Sequence, residues 1–379
     1  MMAKLANQGF VMEANRAKAM FRAAIVKMAP YVPGEQPKPG QRLIKLNTNE
    51  NPYPPSPHVR RAIARAAAGS HLRLYPAPRA DEFVASAARL YRIPTRMILA
   101  GNGSDELLAM LFRATLGRGD KVTYPSPTYS LYDTLADIQE ARVIRIPFPS
   151  DFALPVEELA RADAKLTVIC NPNSPSGTST PIETLDALSR RLAPRLIAID
   201  EAYVDFADDN ALRLIKRRPN VIVLRTLSKS FSLAGMRLGL CFARPDVTDT
   251  LMKVKDSYNL SCVALAAGAA ALDDAGWMRR NVERIRSTRA ITRRALVRMG
   301  FEVPASSANF ILARLAGRDL TDLTARLRRR GILVRHFATP TLCDALRISI
   351  GTPREMKALF KALESLVPPP TRAPRNSDS

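Results

Sequence analysis

The stretch Leu196-Ile197-Ala198-Ile199-Asp200 consists of four apolar residues that end on a carboxylate. A continuous apolar run of this length is typical of a strand that is buried on both faces of a parallel sheet. A carboxylate at the end of such a strand is costly to bury unless a cationic partner lies beside it. The stretch therefore predicts both an α/β sheet and a charged site at one edge of that sheet.

Six further short apolar runs lie on both sides of this stretch, and helical patterns separate several of them. They are Met97–Ala100, Lys121–Tyr124, Val143–Ile146, Leu166–Cys170, Val221–Thr226 and Leu238–Phe242. The alternation predicts an α/β fold with a mainly parallel, seven-stranded sheet sandwiched by helices. Polar clusters follow four of the runs, namely Gly101-Asn102-Gly103, Asn171-Pro172-Asn173, Asp200-Glu201 and Thr226-Leu227-Ser228-Lys229. Because ligands of open α/β sheets bind at the carboxyl ends of the strands, these clusters predict one shared site.

The texture of the sequence changes along the chain and predicts four segments. Residues 1–45 are expected to form an N-terminal helix and an extended arm that packs on the smaller domain, and residues 46–260 form the large domain. Residues 261–367 read as a smaller α+β domain, with strands at Glu302–Arg314, Ile332–Arg335 and Leu346–Ile350. The Pro-rich stretch 368–379 is expected to be a disordered tail.

Composition excludes several classes of protein. The 379 residues include 46% hydrophobic residues and four cysteines, none of which forms a CxxC or His/Cys cluster, so no disulfide scaffold and no metal site are expected. No apolar stretch reaches the roughly 20 residues that a membrane span requires. The net charge of +22 arises from arginines that are spread along helices with few aromatics between them. We therefore expect a basic surface that attracts anionic substrates rather than a nucleic-acid-binding protein.

Lys229 is the second feature that carries chemistry. It follows a buried strand directly, in a run of Ser, Thr, Phe and Gly residues, where an ordinary solvated lysine is unusual. A lysine that forms a Schiff base and an aspartate that holds a pyridinium nitrogen are the two groups that a pyridoxal-phosphate enzyme requires. Lys229 and Asp200 are candidates for these two groups.

A set of motifs in family order adds a resemblance that covers roughly residues 31–366. The motifs are Asn47-Thr48-Asn49-Glu50-Asn51-Pro52-Tyr53, Arg73-Leu74-Tyr75-Pro76, Gly103-Ser104-Asp105-Glu106, Pro127-Thr128-Tyr129, Asn171 to Gly177, Asp200-Glu201-Ala202-Tyr203, Thr226-Leu227-Ser228-Lys229, Leu233 to Gly239 and Arg347-Ile348-Ser349-Ile350-Gly351. With them the chain resembles the fold-type I pyridoxal-phosphate enzymes, and most closely the histidinol-phosphate aminotransferase family of class-II-type aminotransferases.

The resemblance implies pyridoxal 5′-phosphate as cofactor and assigns its contacts residue by residue. Lys229 would be the catalytic lysine that binds the cofactor covalently, and Asp200 would hold the ring nitrogen. The phosphate would be held by the backbone amides of Ser104 and Asp105, which open a helix, and by Thr226, Ser228 and Arg237. Tyr129 would stack on the ring, and Asn171 and Tyr203 would bind the 3-oxygen.

The resemblance also implies a substrate site and a partner subunit. Tyr31, Asn49, Arg335 and Arg347 match positions that contact the substrate, with the arginines taking its anionic group. Tyr53 matches a tyrosine that reaches the cofactor phosphate of the partner, which implies a homodimer. We expect the enzyme to be cytoplasmic. Pro54 follows it where the family pattern has Gly.

Other functions remain open on the sequence alone. Threonine-phosphate decarboxylases and aminotransferases for phenylalanine or tyrosine share much of the motif set, so the physiological amino donor is not fixed. A cofactor-bound regulator or a basic nucleic-acid-binding protein is a different class of alternative. No helix-turn-helix pattern flanks the catalytic region, which argues against a regulator.

Overall fold

A seven-stranded sheet forms the centre of the large part of the molecule. The computed structural model describes residues 19–367. Within this range the strands lie side by side in the order β2 (Ile98–Gly101), β8 (Gly239–Phe242), β7 (Val221–Thr226), β6 (Leu196–Asp200), β5 (Leu166–Cys170), β3 (Lys121–Ser126) and β4 (Arg142–Pro147). Only β8 runs in the direction opposite to that of the other six strands, so the predicted mainly parallel α/β sheet is confirmed. The carboxyl ends of the other six strands therefore share one edge.

Apolar side chains on both faces of this sheet build two separate cores. In β6, Ile197 and Ile199 face one core while Ala198 faces the other, as expected from the two-residue period of a strand. Helices cover both faces, which explains why the strand sequences are apolar throughout. The helices that flank or follow the large sheet are α2 (Pro57–Ala68), α3 (Asp81–Tyr91), α4 (Ser104–Thr115), α5 (Leu131–Ile138), α6 (Val156–Arg161), α7 (Ile182–Leu192), α8 (Pro245–Met252) and α9 (Cys262–Asp273).

A second, four-stranded sheet forms the smaller part of the structure. Its order is β1 (Ile44–Leu46), β10 (Ile332–His336), β11 (Ala345–Ser349) and β9 (Phe310–Arg314), with β1 parallel to β10 and the other pairs antiparallel. Helices α10 (Ala275–Arg298), α11 (Thr321–Arg329) and α12 (Pro353–Glu364) belong to the same C-terminal half. The register places Arg335 of β10 directly opposite Arg347 of β11.

The N-terminal segment differs from its prediction. The helix α1 spans only Ala23–Lys27 and buries none of its residues, and residues 1–18 lie outside the described range. Arg22 donates to Glu140 and to the carbonyl of Ile138 beside the large sheet, so this end of the segment does not pack on the small domain as expected. The extended arm that follows does reach the small domain, since Glu35 pairs with Arg328 of α11. Because helix α1 is little more than one turn long, it cannot contact both the large sheet and the small domain.

Other element boundaries also shift. The first part of the segment predicted as the smaller domain is occupied by two helices, α9 and α10, which meet at Asp274. The strand expected over Glu302–Arg314 narrows to Phe310–Arg314, with Glu302 making one isolated bridge to Arg314. The domain limits at 45, 260 and 367 remain predictions. Helix α9, which follows residue 260, packs on α2 and α3 beside the large sheet. The expected tail, residues 368–379, lies outside the described range.

None of the helices found between residues 19 and 367 combines the length and the apolar character that crossing a bilayer demands.

Candidate active site

A cavity of about 450 Å³ opens at the carboxyl edge of the large sheet and extends to the small sheet. It gathers all the predicted site residues except two. Those that line it are Tyr31, Asn49, Ser104, Asp105, Tyr129, Asp200, Tyr203, Thr226, Ser228, Lys229, Arg237, Arg335 and Arg347. The edge where the parallel strands end therefore carries one shared cavity, as the polar clusters predicted.

One end of the cavity has the donors of an anion site. Helix α4 begins at Ser104, and the amides of its first turn have no partner within the helix. Thr226 donates to Ser228 at 2.9 Å, and Arg237 reaches the same Ser228 hydroxyl at 3.5 Å. Arg237 also pairs with Asp105 at 3.1 Å. These amides, hydroxyls and one guanidinium are the groups that bind phosphate in proteins.

Gly103 keeps this end open. Its φ of +83° is a conformation that favours glycine, and a Cβ at this position would lie 2.7 Å from Nη2 of Arg237. A side chain there would push the guanidinium away from the start of α4. The glycine thus lets the helix terminus and Arg237 face the same small volume.

Asp200 lies at the floor of the cavity and is only 2% exposed. Its Oδ2 accepts a hydrogen bond from the Tyr132 hydroxyl at 2.7 Å, and its Oδ1 accepts from the amide of Ala202 at 3.1 Å. Burial raises the pKa of Asp200 to about 6, against the lowering effect of these two hydrogen bonds. Within residues 19–367 no cation pairs with this carboxylate, which fits a cationic ring nitrogen as its partner.

Lys229 supplies the amine. Its Nζ lies 3.4 Å from the carbonyl oxygen of Thr48 and 5.8 Å from the centre of the Tyr203 ring. Burial lowers the pKa of Lys229 to about 8, and the charge of Arg347 adds to this effect. The side chain amide of Asn51 donates to the carbonyls of Lys229 and Ser230 and fixes the backbone that carries the amine.

Two tyrosines, Tyr129 and Tyr203, form part of the cavity wall. The Tyr129 hydroxyl donates to Asp105 at 3.3 Å, and burial raises its pKa well above the usual range. The Tyr203 hydroxyl accepts from Asn49 at 3.0 Å, and burial raises its pKa to about 12. Asn49 has φ +58° and is itself held by Ser349 of β11 and by Asn309, which directly precedes β9. The two parts of the molecule therefore meet at Tyr203.

The other end of the cavity is a second cationic site. Arg347 donates to the Ser174 hydroxyl at 3.1 Å and to the carbonyl of Asn47 at 3.0 Å, while its buried Nε has no partner among the described residues. Arg335 binds the carbonyls of Pro33 and Val32 only weakly, at 3.4 and 3.3 Å. Burial lowers the pKa of Arg347, and the positive charge of Arg335 contributes to this shift. Like charges directly opposite on adjacent strands are unfavourable unless an anion binds between them.

Two predicted residues do not line the cavity. Asn171 exchanges hydrogen bonds with the backbone of Thr180, at 2.7 and 3.2 Å, and lines a separate pocket of about 210 Å³. Because Cys170 lines the cavity and alternate residues of an extended chain face opposite ways, Asn171 points away, and the structure does not bring it to the predicted cofactor site. Tyr53 is 8% exposed, and its ring lies 3.5 Å below the guanidinium carbon of Arg284. Its predicted contact concerns a partner subunit and remains a prediction.

The structure adds residues that the motifs did not single out. Tyr132 follows Tyr129 by three residues, and this close spacing of two tyrosines could have indicated a shared role. Ser174, Phe337 and Leu342 line the cavity near the arginines. Phe337 comes from a loop between two strands of the small sheet, for which the sequence offers no local signal.

The donors and charges of the cavity fit pyridoxal phosphate. An anion site at a helix start, a buried carboxylate without a cation and a lysine with a lowered pKa correspond to the phosphate, the ring nitrogen and the aldehyde of that cofactor. Between the two cationic ends lies Lys229, so a second anionic group can be bound opposite the first.

Comparisons with known proteins give the same picture. Residues 41–363 match the family described as aminotransferase class I and II. The chain is 43% identical to histidinol-phosphate aminotransferase 1 of Trichormus variabilis, across 92% of this chain and 99% of that protein. It is 45% identical to the histidinol-phosphate aminotransferase of Citrifermentans bemidjiense, across 92% and 98%. Its fold is similar to the crystal structure of histidinol-phosphate aminotransferase from Sinorhizobium meliloti in complex with pyridoxal-5′-phosphate, with a TM-score of 0.84, 26% identity and coverage of 92% and 97%.

Proposed function

The chain belongs to the class I and II aminotransferase family, and on that premise we propose that it is a pyridoxal-phosphate-dependent histidinol-phosphate aminotransferase. It exchanges the amino group of L-histidinol phosphate with 2-oxoglutarate, giving imidazole-acetol phosphate and L-glutamate, a reaction of histidine biosynthesis. The observation that carries this proposal is the pair Arg335 and Arg347, which face each other across two strands and line the same cavity as Lys229.

The cofactor end of the cavity accounts for binding and orientation. When bound, pyridoxal phosphate supplies an aldehyde that bonds to amines and a ring that withdraws electrons from them. Ser104, Thr226, Ser228 and Arg237 would hold its phosphate, and Asp200 would keep a proton on its ring nitrogen. Tyr129 would cover one ring face and Tyr203 would donate its hydroxyl proton to the ring oxygen, a role that the structure leaves without Asn171.

Lys229 moves the proton of the reaction. A base works best when its pKa lies near the working pH, and burial brings the pKa of Lys229 to about 8. Its Nζ can therefore take a proton from the substrate carbon and deliver it to the cofactor carbon that carries the aldehyde. Both half-reactions use the same atom, so one lysine serves donor and acceptor alike.

The two arginines select the substrate. A phosphate or carboxylate bound by Arg347 satisfies its free Nε and relieves the repulsion from Arg335. An amine without an anionic group would leave the Nε of Arg347 unpaired and the repulsion between the two arginines uncompensated. We expect removal of the substrate phosphate to lower kcat/KM by about two orders of magnitude or more, because a buried charged donor is then left unpaired.

Steady-state kinetics with 2-oxoglutarate as acceptor test this function. The donors to compare are L-histidinol phosphate, L-histidinol and L-phenylalanine. A higher kcat/KM for phenylalanine would replace the proposal with an aromatic aminotransferase. Carbon dioxide release from a phosphorylated amino acid, without consumption of the keto acid, would replace it with a decarboxylase.

We also propose that the enzyme is a homodimer. Leu72, Leu74 and Tyr75 are 59%, 54% and 81% exposed, and Tyr75 stacks on the half-exposed Tyr258 at 4.4 Å. Exposed apolar side chains of this size are typical of interfaces. Tyr53 does not line the cavity of its own chain, which agrees with a role in the partner's site.

Mixing inactive subunits tests both the dimer and Tyr53. Lys229→Ala and Tyr53→Phe homodimers should each be impaired. In a mixed dimer, one site combines an intact Lys229 with an intact Tyr53 of the other chain, so activity should recover after the two variants are exchanged. No recovery, or a monomer in analytical ultracentrifugation, would contradict this arrangement.

The four free cysteines agree with the reducing cytoplasm as the location that we propose.

A further inference from the structure

Tyr132 is a buried residue in contact with Asp200. It belongs to the first turn of α5, is 0% exposed, and donates its hydroxyl hydrogen to Oδ2 of Asp200 at 2.7 Å. Its ring lies edge-on to Tyr129, with ring centres 5.7 Å apart. Tyr132 therefore touches both the predicted stacking residue and the predicted partner of the ring nitrogen.

The surroundings of Asp200 make this hydrogen bond important. Apart from Tyr132, only the amide of Ala202 donates to the carboxylate within the described range. The other titratable groups that face it disfavour its charge or are neutral. They are Asp105 of α4, Glu201 beside it on the chain, Cys170 at the end of β5, and the hydroxyls of Tyr129 and Tyr203. A hydrogen-bond donor is thus needed to keep this carboxylate ionised.

We propose that Tyr132 is a positioning residue that keeps Asp200 ionised and orients it toward the ring nitrogen of the bound cofactor. The inference rests on the proposed function. A hydroxyl binds a carboxylate more strongly than a neutral carboxyl, so the bond favours the ionised form. With a less basic carboxylate, the shared proton stays on the ring nitrogen, where it makes the ring a better electron acceptor.

Tyr124 offers a matched control. It is also buried, its ring centre lies 5.5 Å from that of Tyr132, and its hydroxyl donates to a different carboxylate, Asp133, at 2.5 Å. Tyr132→Phe and Tyr124→Phe each remove one buried tyrosyl hydroxyl and keep the ring. Only the first removes a donor from Asp200.

Cofactor binding to the apoprotein, followed by absorbance, separates these roles without measuring turnover. Pyridoxal 5′-phosphate is titrated into wild type, Tyr132→Phe, Tyr124→Phe and Asp200→Asn over a series of pH values. In wild type, affinity should fall as the pH drops through about 6, because Asp200 becomes protonated there. In Tyr132→Phe this midpoint should move upward by about one pH unit, the size expected for one lost hydrogen bond to a charged group.

The controls define the possible results. Tyr124→Phe should keep the wild-type midpoint, and Asp200→Asn should lack this transition, while the titration of the cofactor itself is common to all four proteins. Equal midpoints in wild type and Tyr132→Phe overturn the inference and leave the proposed function intact. A wild-type protein that binds no cofactor at any pH overturns both.

A second variant covers the case in which Tyr132→Phe does not fold. A fluorinated tyrosine at position 132 keeps the ring and the hydroxyl but makes the hydroxyl a stronger donor. The midpoint should then move below that of wild type, and an unchanged midpoint would contradict the role of Tyr132.

Discussion

Gly239, the first residue of β8, lies directly against Gly103, the residue before α4. A Cβ on Gly239 would be 2.5 Å from the carbonyl carbon of Gly103 and 2.6 Å from the amide nitrogen of Ser104. No side chain can be accommodated at that distance without moving the backbone. The antiparallel strand therefore supports the helix start that we expect to hold the cofactor phosphate.

Gly239→Ala should consequently weaken cofactor binding. We expect the dissociation constant of pyridoxal phosphate to rise about tenfold or more, together with a loss of about 1–3 kcal/mol in the free energy of unfolding from overpacking. Gly235→Ala is the control, because a Cβ there meets nothing within 4 Å. Fluorescence titration and urea unfolding measure the two effects. Equal dissociation constants and equal free energies of unfolding for Gly239→Ala and Gly235→Ala would contradict the close contact.

Lys229→Ala should abolish multiple turnover while the protein stays folded. The amine has a lowered pKa because its burial is unfavourable for its charge, so its removal should not cost stability. Borohydride reduction of the holoenzyme followed by peptide mass spectrometry should find the cofactor on Lys229 in wild type and no cofactor-modified peptide in the variant. Full turnover by the variant would refute the role of this lysine.

Arg335→Ala and Arg347→Ala should raise KM for the phosphorylated amine. We expect factors of about 10 to 100 for each, in line with the loss of a charge-assisted hydrogen bond. The Arg347 variant should also impair the half-reaction with glutamate, since the buried Nε of this arginine has no partner among the described residues. Arg326→Ala, on the exposed face of α11, removes the same charge away from the cavity. A rise in KM in this control would trace the effect to the net charge of the protein.

The stability of the apoprotein should depend on pH through Asp200. Its pKa is about 6 in the folded protein and 3.8 when unperturbed, so the folded state binds the extra proton between these values. That contribution is complete below about pH 4 and is lost as the pH rises through 6, up to about 3 kcal/mol. Urea unfolding of wild type and Asp200→Asn at several pH values should show this slope in wild type alone. Parallel curves would argue against a buried titrating carboxyl.

The buried ion pair behind Asp200 should show strong coupling. Arg225 and Glu201 lie 2.7 Å apart, and both side chains are buried. Arg225→Met should cost about 3–5 kcal/mol because it leaves a buried carboxylate without its cation. Adding Glu201→Gln should recover part of that loss, whereas additive losses in urea unfolding would exclude a coupled pair.

Local sequence patterns predicted most of the large sheet. The limits of β5, β6 and β7 agree with the apolar runs residue for residue, because strands buried on both faces have an unmistakable composition. The smaller sheet was predicted less well. Its strand β1 comes from residues 44–46, which pair with residues nearly three hundred positions later, and no local pattern reveals such a partner.

In the candidate site, too, some residues could be placed from the local sequence and others could not. Groups at the end of a strand or just past it, such as Asp200 and Lys229, were placed correctly at the cavity by position alone. Asn171 was misplaced because a motif match does not tell which face an extended residue presents. Tyr132 was missed because its partner, Asp200, is 68 residues away and the contact depends on how α5 packs on the sheet.

The position of β8 between β2 and β7 also determines how much of the chain the large sheet needs. The large sheet lacks the strand that joins β2 to β7 until residues up to Phe242 are present, and Arg347 follows about a hundred residues later. The predicted phosphate-binding residues Ser104, Thr226, Ser228 and Arg237 therefore all precede that point in the chain, whereas the paired arginines Arg335 and Arg347 follow it.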